Sequence, residues 1–373
     1  MPRKGMNIYK RKDGRWEGRI LRGTKEGKRQ YYSVYGHSYK EARDKLLEAT
    51  AGCQKEIPKC SLSVGQVMEQ WLKDKRNTWK ESTYACYRGI VNLHITGSTG
   101  QLPAMEFNDI QFHSFLRNIH CKDGHPAKPA YLHNIGAAII QAFRHMTREY
   151  HYDLPSLTNM KTIRSGRNLV LPSEAEMTQL RDYLYLHEQD STCIGILLAY
   201  HTGIRLGELC ALKWEDIDFE KGMLTVNRNM QRVKNFQQSE PKEPKTNICI
   251  QTPKTATSTR SIPLPDRLVE FLRQNRREEK NYVIQGKNRE WAEARTVQYR
   301  FSAILKECGI THFKFHTLRH YFATTCIQRG FDVKSLSEIL GHSTVQTTMN
   351  LYVHSSMAQK RKLMNQIFET EAN

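Results

Sequence analysis

Apolar side chains recur at spacings of three and four through most of this chain. From 63 to 150 they predict four amphipathic helices, Ser63 to Arg76, Glu81 to Asn92, Asn108 to Asn118 and Pro129 to Tyr150, separated by the turn-forming runs G-S-T-G and K-D-G-H-P. The same period predicts helices over Thr192 to His201, Asp266 to Glu278, Thr296 to Cys308 and from His316 onward. At the amino end the period shortens. Ile8 to Lys12, Arg15 to Arg22 and Lys28 to Tyr35 read as three short strands, the first two joined at Asp13-Gly14, and Ser38 caps a following helix with Glu41 at its third position. Three more strands are expected at Met223 to Asn227, Ile248 to Thr252 and Arg260 to Leu264. The polar, Pro-containing stretch between Arg228 and Asn247 reads as a mobile loop.

This pattern implies a multidomain chain, mainly α with small β-sheets. Residues 1–58 form a small sheet-plus-helix module and 59–155 a helical domain. Residues 156–172, with weak periodicity and many polar side chains, form a linker. Residues 173–373 form a mixed α+β domain opened by a capping box of Ser173 and Glu176 and closed by a tail helix from Val353.

Charge narrows the partner. The 373 residues carry a formal net charge of +19 at a sequence pI of about 9.5, which points to a polyanion, nucleic acid first and an anionic membrane surface second. No run reaches the roughly 18 apolar residues of a membrane span, and the basic start M-P-R-K-G-M-N has no apolar region of a secretory signal. Nine scattered cysteines, an odd number with no C-x-x-C pair, imply reduced thiols in a cytoplasmic protein. Positive charge is densest at the amino end. There the strands carry Arg15, Arg19, Arg22, Lys28 and Arg29 among Trp16, Tyr31 and Tyr32, a mixture able to touch phosphates and base edges.

The chemistry concentrates near the carboxyl end. In H-T-L-R-H, His316 and Arg319 are three residues apart, on one helix face. Gly341 stops the next helix, holding His342 at a turn, and Tyr352 follows after one short helical segment. Upstream stands T-G-I-R-L-G-E, with Arg205 and Glu208. Cutting a phosphodiester needs a nucleophile, cations on the non-bridging oxygens and a proton donor to the leaving oxygen. Tyrosine can supply the first, arginine the second, and histidine or lysine the third.

H-x-x-R-H, L-G-H, a tyrosine ten residues after that histidine and an upstream T-G-x-R-x-x-E together resemble the tyrosine recombinases of the phage integrase family, over Leu171 to about Phe368. The resemblance implies site-specific cutting and rejoining of DNA through a 3′-phosphotyrosine intermediate, with no cofactor, metal or ATP. Consistently, no G-x-x-x-x-G-K-[ST] or G-x-G-x-x-G loop occurs. By the same resemblance Tyr352 is the nucleophile, Arg205 and Arg319 grip the scissile phosphate, His316 and His342 hydrogen-bond it, and Glu208 supports Arg205. Lys254, in Q-T-P-K-T-A-T-S-T-R-S-I-P-L, acts as general acid from a hairpin whose far strand carries Arg260. The helical domain is the core-binding half of a clamp on duplex DNA, and the amino-terminal module binds accessory arm sites. A homotetramer on paired sites, an accessory DNA-bending or excision protein, and a bacterial mobile element as source complete the expectation. A type IB topoisomerase, a DNA-binding regulator without catalysis, and a zinc hydrolase built on His316 and His320 are the alternatives. The last lacks the glutamate of H-E-x-x-H, since Thr317 stands in its place.

Overall fold

The computed structural model describes residues 7–25, 28–52, 60–121, 123–161, 171–236, 244–251, 259–278, 281–352, 361 and 364–365; of 21–25, 28–30, 50–52 and 98 it describes the backbone alone. The chain divides into two compact units, Met1–Arg164 and Ser165–Asn373.

The first unit opens with an antiparallel sheet in the order β1 (Ile8–Lys10), β2 (Trp16–Lys25), β3 (Lys28–Gly36), followed by α1 (Tyr39–Gly52). The strand β1 stops two residues earlier than its pattern suggests. Arg11 already belongs to the turn, donating its amide to the Arg15 carbonyl and accepting from Gly14. Ser38 caps α1 as expected: its Oγ accepts from the Glu41 amide at 3.1 Å while the Glu41 carboxylate accepts from His37 at 2.8 Å. The Trp16 ring lies edge-on to Tyr39 of α1, so that face of β2 is covered. Alternation along the strand puts Glu17 and Arg19 on the opposite face, where Glu17 pairs across to Tyr9 and Tyr35.

Four helices follow, α2 (Val64–Lys75), α3 (Glu81–Ile90), α4 (Asp109–Arg117) and α5 (Pro129–Tyr150). Ser63 with Gln66 and Asn108 with Gln111 form capping boxes at the starts of α2 and α4, and Pro129 supplies the pre-set φ at the start of α5. Their apolar faces meet in one core that buries Trp71, Phe107, Phe112, Leu116, Ile135 and Met146. Val91–Ile95 continues α3 as a π turn rather than as an α-helix, and Thr96 Oγ1 donates to the Val91 carbonyl there.

In the second unit the Ser173–Glu176 box starts α6 (Glu174–Leu186), and α7 (Ser191–Thr202) runs through the centre with nearly every side chain buried. Next come α8 (Leu206–Cys210) and, among the described residues, the strands β4 (Ile217–Asp218), β5 (Met223–Val226), β6 (Asn229–Lys234), β7 (Thr246–Gln251) and β8 (Arg260–Pro263). The helices α9 (Asp266–Gln274), α10 (Ala294–Glu307), α11 (His316–Gln328), α12 (Val333–Leu340) and α13 (Val345–Tyr352) complete the unit. Its core joins Leu197, Leu209, Trp214, Leu224, Ile262, Phe301 and Leu318.

Two details depart from the sequence reading. The stretch after Arg228 is not all loop: Asn229–Lys234 forms β6, paired with β7 from Asn229↔Gln251 to Lys234↔Thr246. Its two buried apolar residues, Met230 and Val233, are three apart, so no period of two announces it. Nor do β7 and β8 pair with each other. β8 pairs with β5 in the order β4-β5-β8, and β7 pairs with β6 in a separate two-stranded sheet. Lys254, between β7 and β8, lies outside the described residues, as does the expected tail helix except for Arg361, Met364 and Asn365, which are helical.

Candidate active site

The pocket is assembled by helix endings. Gly203 ends α7 and Gly341 ends α12, both in the left-handed conformation with φ of 62° and 63°. A helix that ends leaves carbonyls without partners, and cations near those carbonyls are favoured by the helix dipole. Three arginines take them. Arg319 of α11 donates to the Gly203 carbonyl at 2.8 Å and to the Leu340 carbonyl at 2.7 Å. Arg205, just before α8, donates to the Gly341 carbonyl at 3.0 Å, and Arg260 of β8 donates to the Ile339 carbonyl at 2.5 Å. The glycines in T-G-I-R and L-G-H thus place the arginines as well as stopping the helices.

Glu208 ties two of these cations together. Its carboxylate accepts from Arg205 at 2.8 Å and from both terminal nitrogens of Arg260 at 3.1 and 2.9 Å, and it also receives the Arg205 backbone amide at 2.9 Å. Burial works against the charged carboxylate, but Arg260 and then Arg205 outweigh it and hold the pKa below the ordinary value. Arg205 remains partly open to solvent, with 37% of its side chain exposed, whereas Arg319 is 3% exposed. Burial and the neighbouring Arg205 push the Arg319 guanidinium down to about 9, which leaves it a cation at neutral pH. Of its five N–H donors, the two carbonyl bonds occupy only a part.

The imidazoles line the same pocket. The His316 ring stands edge-on to His320, centroids 4.8 Å apart, one turn along α11. His342 leaves the Gly341 stop with its Nδ1 2.8 Å from Thr348 Oγ1 of α13. Burial, reinforced by His320, Arg319 and Arg205 for His316 and by the three arginines and His316 for His342, lowers each to about 4. Both rings are therefore neutral at pH 7.

Tyr352 ends α13, with its ring buried against Ala323, Leu336 and Leu340. Its plane is parallel to His342 at a centroid distance of 6.4 Å, and its hydroxyl lies 3.0 Å from His320 Nδ1. Burial raises the phenol pKa, while Arg319, through charge and hydrogen bonding, and Arg205 oppose the rise. The structure therefore collects Arg205, Glu208, His316, Arg319, His342 and Tyr352 around one pocket of the same chain. His320, named from sequence only in the zinc alternative, and Arg260, named only as a marker of the far strand, belong there too. For His320 a signal existed: it lies four residues after His316, on the same helix face.

The amino-terminal candidates occupy a different place. On the helix-free face of the first sheet, Glu17 is 1% exposed and accepts from Arg19 Nε at 2.8 Å and from Arg11 at 3.1 Å. The Arg11 and Arg15 guanidiniums stand 5.8 and 5.4 Å from the Tyr35 ring centre, and Arg19 lies 4.9 Å from that of Tyr9. Arg15 also pairs with Asp13 at 2.8 Å. Arg22, Lys28 and Arg29 lie on β2 and β3, with side chains outside the description. Among the described residues no group of three His, Cys, Asp or Glu side chains is placed to hold a metal, and no helix is long and apolar enough to cross a membrane.

A pocket of inward-turned arginines, histidines and a tyrosine, on a helical domain with small sheets, defines a catalytic domain of the tyrosine recombinase type. The profile of the phage integrase family matches residues 172–359, and that of the phage integrase N-terminal SAM-like domain matches residues 63–101. The chain belongs to the phage integrase family. It is 28% identical over 360 residues to the tyrosine recombinase XerC-like protein of Caldanaerobacter subterraneus, covering 87% of this chain and 88% of that one. It is 26% identical to the transposase from transposon Tn916 of Enterococcus faecalis, over 45% of this chain and 44% of the transposase. Among solved structures it shares its fold with the Tn1549 transposon integrase in complex with a circular intermediate DNA, at a TM-score of 0.65 and 19% identity over 82% of this chain and all of the other. It shares it also with a lambda integrase dimer bound to a COC′ core site, at a TM-score of 0.54 and 18% identity over 96% of this chain and all of the other.

Proposed function

We propose that this protein is a site-specific recombinase that integrates or excises a mobile element, cutting and rejoining duplex DNA with Tyr352 as the nucleophile. The observation that carries the reading is the placement of the Tyr352 hydroxyl, buried in its own chain and hydrogen-bonded to Arg319 and His320, with the His342 ring parallel to its own. An anionic phosphate entering that pocket meets Arg205 and Arg319, whose guanidiniums bond non-bridging oxygens and stay charged throughout the reaction. Each such contact strengthens as negative charge gathers on the non-bridging oxygens of the five-coordinate transition state, and losing one costs about 3 to 4 kcal/mol of transition-state stabilisation. Neutral His316 and His342 donate single hydrogen bonds without a cation's desolvation cost. Glu208 keeps Arg205 aimed, and Lys254 protonates the leaving 5′ oxygen.

One phosphodiester is exchanged for a phosphotyrosine and then for another phosphodiester, so neither ATP nor a metal enters the balance. The charge of +19 serves a clamp on duplex DNA, with residues 59–155 as the core-binding half and 173–373 as the catalytic half. Residues 1–58 contact arm sites through Arg15, Arg19, Arg22, Lys28 and Arg29. Four copies act together on paired sites in a bacterial cytoplasm, with an accessory DNA-bending or excision protein setting direction. The test is a duplex nicked near a candidate site, incubated with the protein in chelator and resolved on denaturing gels. A covalent adduct with wild type that is missing with Tyr352→Phe supports the reading; an adduct that survives the substitution ends it.

A further inference from the structure

The hydrogen bond between Tyr352 and His320 has no place in the scheme above, yet it reaches the attacking atom itself, and unlike the Arg319 guanidinium that also bonds the phenol, an imidazole can take a proton. His320 presents Nδ1 to the phenol at 3.0 Å, within the range for direct proton transfer. The ring is set by its neighbours: His316 stands edge-on to it, and Tyr352 is tilted against it with centroids 5.6 Å apart. The charged and titratable groups facing it are His316 and Arg319 of its own helix and Tyr352 of α13. Burial, then Arg319, lowers its pKa from the ordinary value, so the ring is neutral and Nδ1 is free to accept when the proton sits on Nε2.

Resting on the reading of Tyr352 as nucleophile, we propose that His320 is a further catalytic residue, the base that takes the Tyr352 proton as the strand is cut. In that step the Oη–H bond breaks as the Oη–P bond forms, and the proton passes to His320 Nδ1. The P–O5′ bond breaks, and the 5′ oxygen takes a proton from a separate acid. The site as a whole gains one proton at His320 and loses one at the acid. Rejoining reverses both transfers. The assignment gives the two proton tasks to different groups: the base lies on α11 against α13, and an in-line attack puts the leaving oxygen, with its acid, opposite the phenol.

The experiment compares adduct formation by wild type, His320→Ala, His320→Asn and Tyr352→Phe on nicked duplexes, after melting curves have shown that each variant folds. Asparagine sets an amide near the position of Nδ1, so it keeps a hydrogen bond to the phenol but cannot take its proton. The expected result is a cleavage rate lower by about 10²-fold or more in both His320 variants. The same deficit persists on a 5′-bridging phosphorothiolate, whose thiolate leaves without a proton. A wild-type rate with asparagine would make His320 a positioning residue, and recovery on the sulfur substrate would assign it to the leaving group; either overturns the proposal. Unchanged rates in the His320 variants, with Tyr352→Phe inactive, overturn it while leaving the nucleophile standing. An adduct formed by Tyr352→Phe removes the underlying reading instead.

Discussion

Glu208 and Arg260 form a two-point ion pair with only 4% and 6% of their side chains exposed. Such a pair is costly to assemble and costlier to break, because losing one partner strands the other charge away from water. Glu208→Ala is therefore expected to lower stability by about 3 to 5 kcal/mol, and Glu208→Gln by less. Both should also slow adduct formation, because Arg205 loses its anchor. Urea titration beside the cleavage assay checks this, and a stable, fully active Glu208→Ala protein contradicts it.

Arg319 spans two carbonyls from two helix ends, a task for a planar fork rather than a single ammonium. Arg319→Lys is expected to bind duplex DNA with nearly unchanged affinity but to form the adduct about 10² to 10³ times more slowly. Equal losses in binding and cleavage would place Arg319 among ordinary phosphate contacts.

A side chain at Gly341 meets a different obstacle. Its φ of 63° is strained for any residue with a Cβ, and that atom would lie 3.0 Å from the Arg260 guanidinium. Gly341→Ala should cost about 1 to 2 kcal/mol in backbone strain alone and reduce cleavage by shifting the carbonyl that Arg205 holds. Differential scanning calorimetry and the adduct assay together measure both effects; no change in either contradicts the account of the helix ending.

Acid should weaken the second unit over a defined window. His201, His316 and His342 are each lowered to about 4 in the folded chain, chiefly by burial. The unfolded chain binds more protons than the folded one between about pH 6.5 and 4, so stability falls as the pH drops through that range and is unaffected by these groups above it. Melting temperatures at steps from pH 7.5 to 4 should show that fall, and a shallower one in a His316→Gln, His342→Gln double variant. An identical slope in the variant would contradict the assignment.

At the amino end the sign of the expected effect is unusual. Glu17 is a carboxylate on the face proposed to meet DNA, held at a pKa of about 2 first by its bond from Arg19. Glu17→Gln removes a negative charge, yet it should weaken duplex binding by about fivefold, the equivalent of one net hydrogen bond, because Arg11 and Arg19 lose their fixed geometry. Fluorescence anisotropy at constant salt reads the change; equal or tighter binding would show that the pairing does not serve DNA contact.

Much of this architecture is legible before any coordinates. Ser38, Ser63 and Ser173 announce helix starts through hydrogen bonds that span only three residues, and α5 is bounded as its apolar period and Pro129 require. The strand β6 escapes because it is stabilised by pairing with β7, not by its own alternation. The arginines could be named from spacing, but their partners could not. Arg319 meets Gly203 over 116 positions and Arg260 meets Glu208 over 52, contacts that only the tertiary fold creates. His320 was visible as a residue in H-x-x-R-H, whereas its bond to Tyr352 depends on where α13 comes to rest.

The central claim is that Tyr352 becomes joined to DNA. The most direct test is to trap the adduct on a nicked duplex, digest protein and DNA, and sequence the nucleotide-bearing peptide by mass spectrometry. A 3′-phosphate linked to Tyr352 is the predicted result. Linkage to another residue, such as Tyr321 on α11, or to a 5′-phosphate, would contradict the assignment of the nucleophile or the polarity of cleavage.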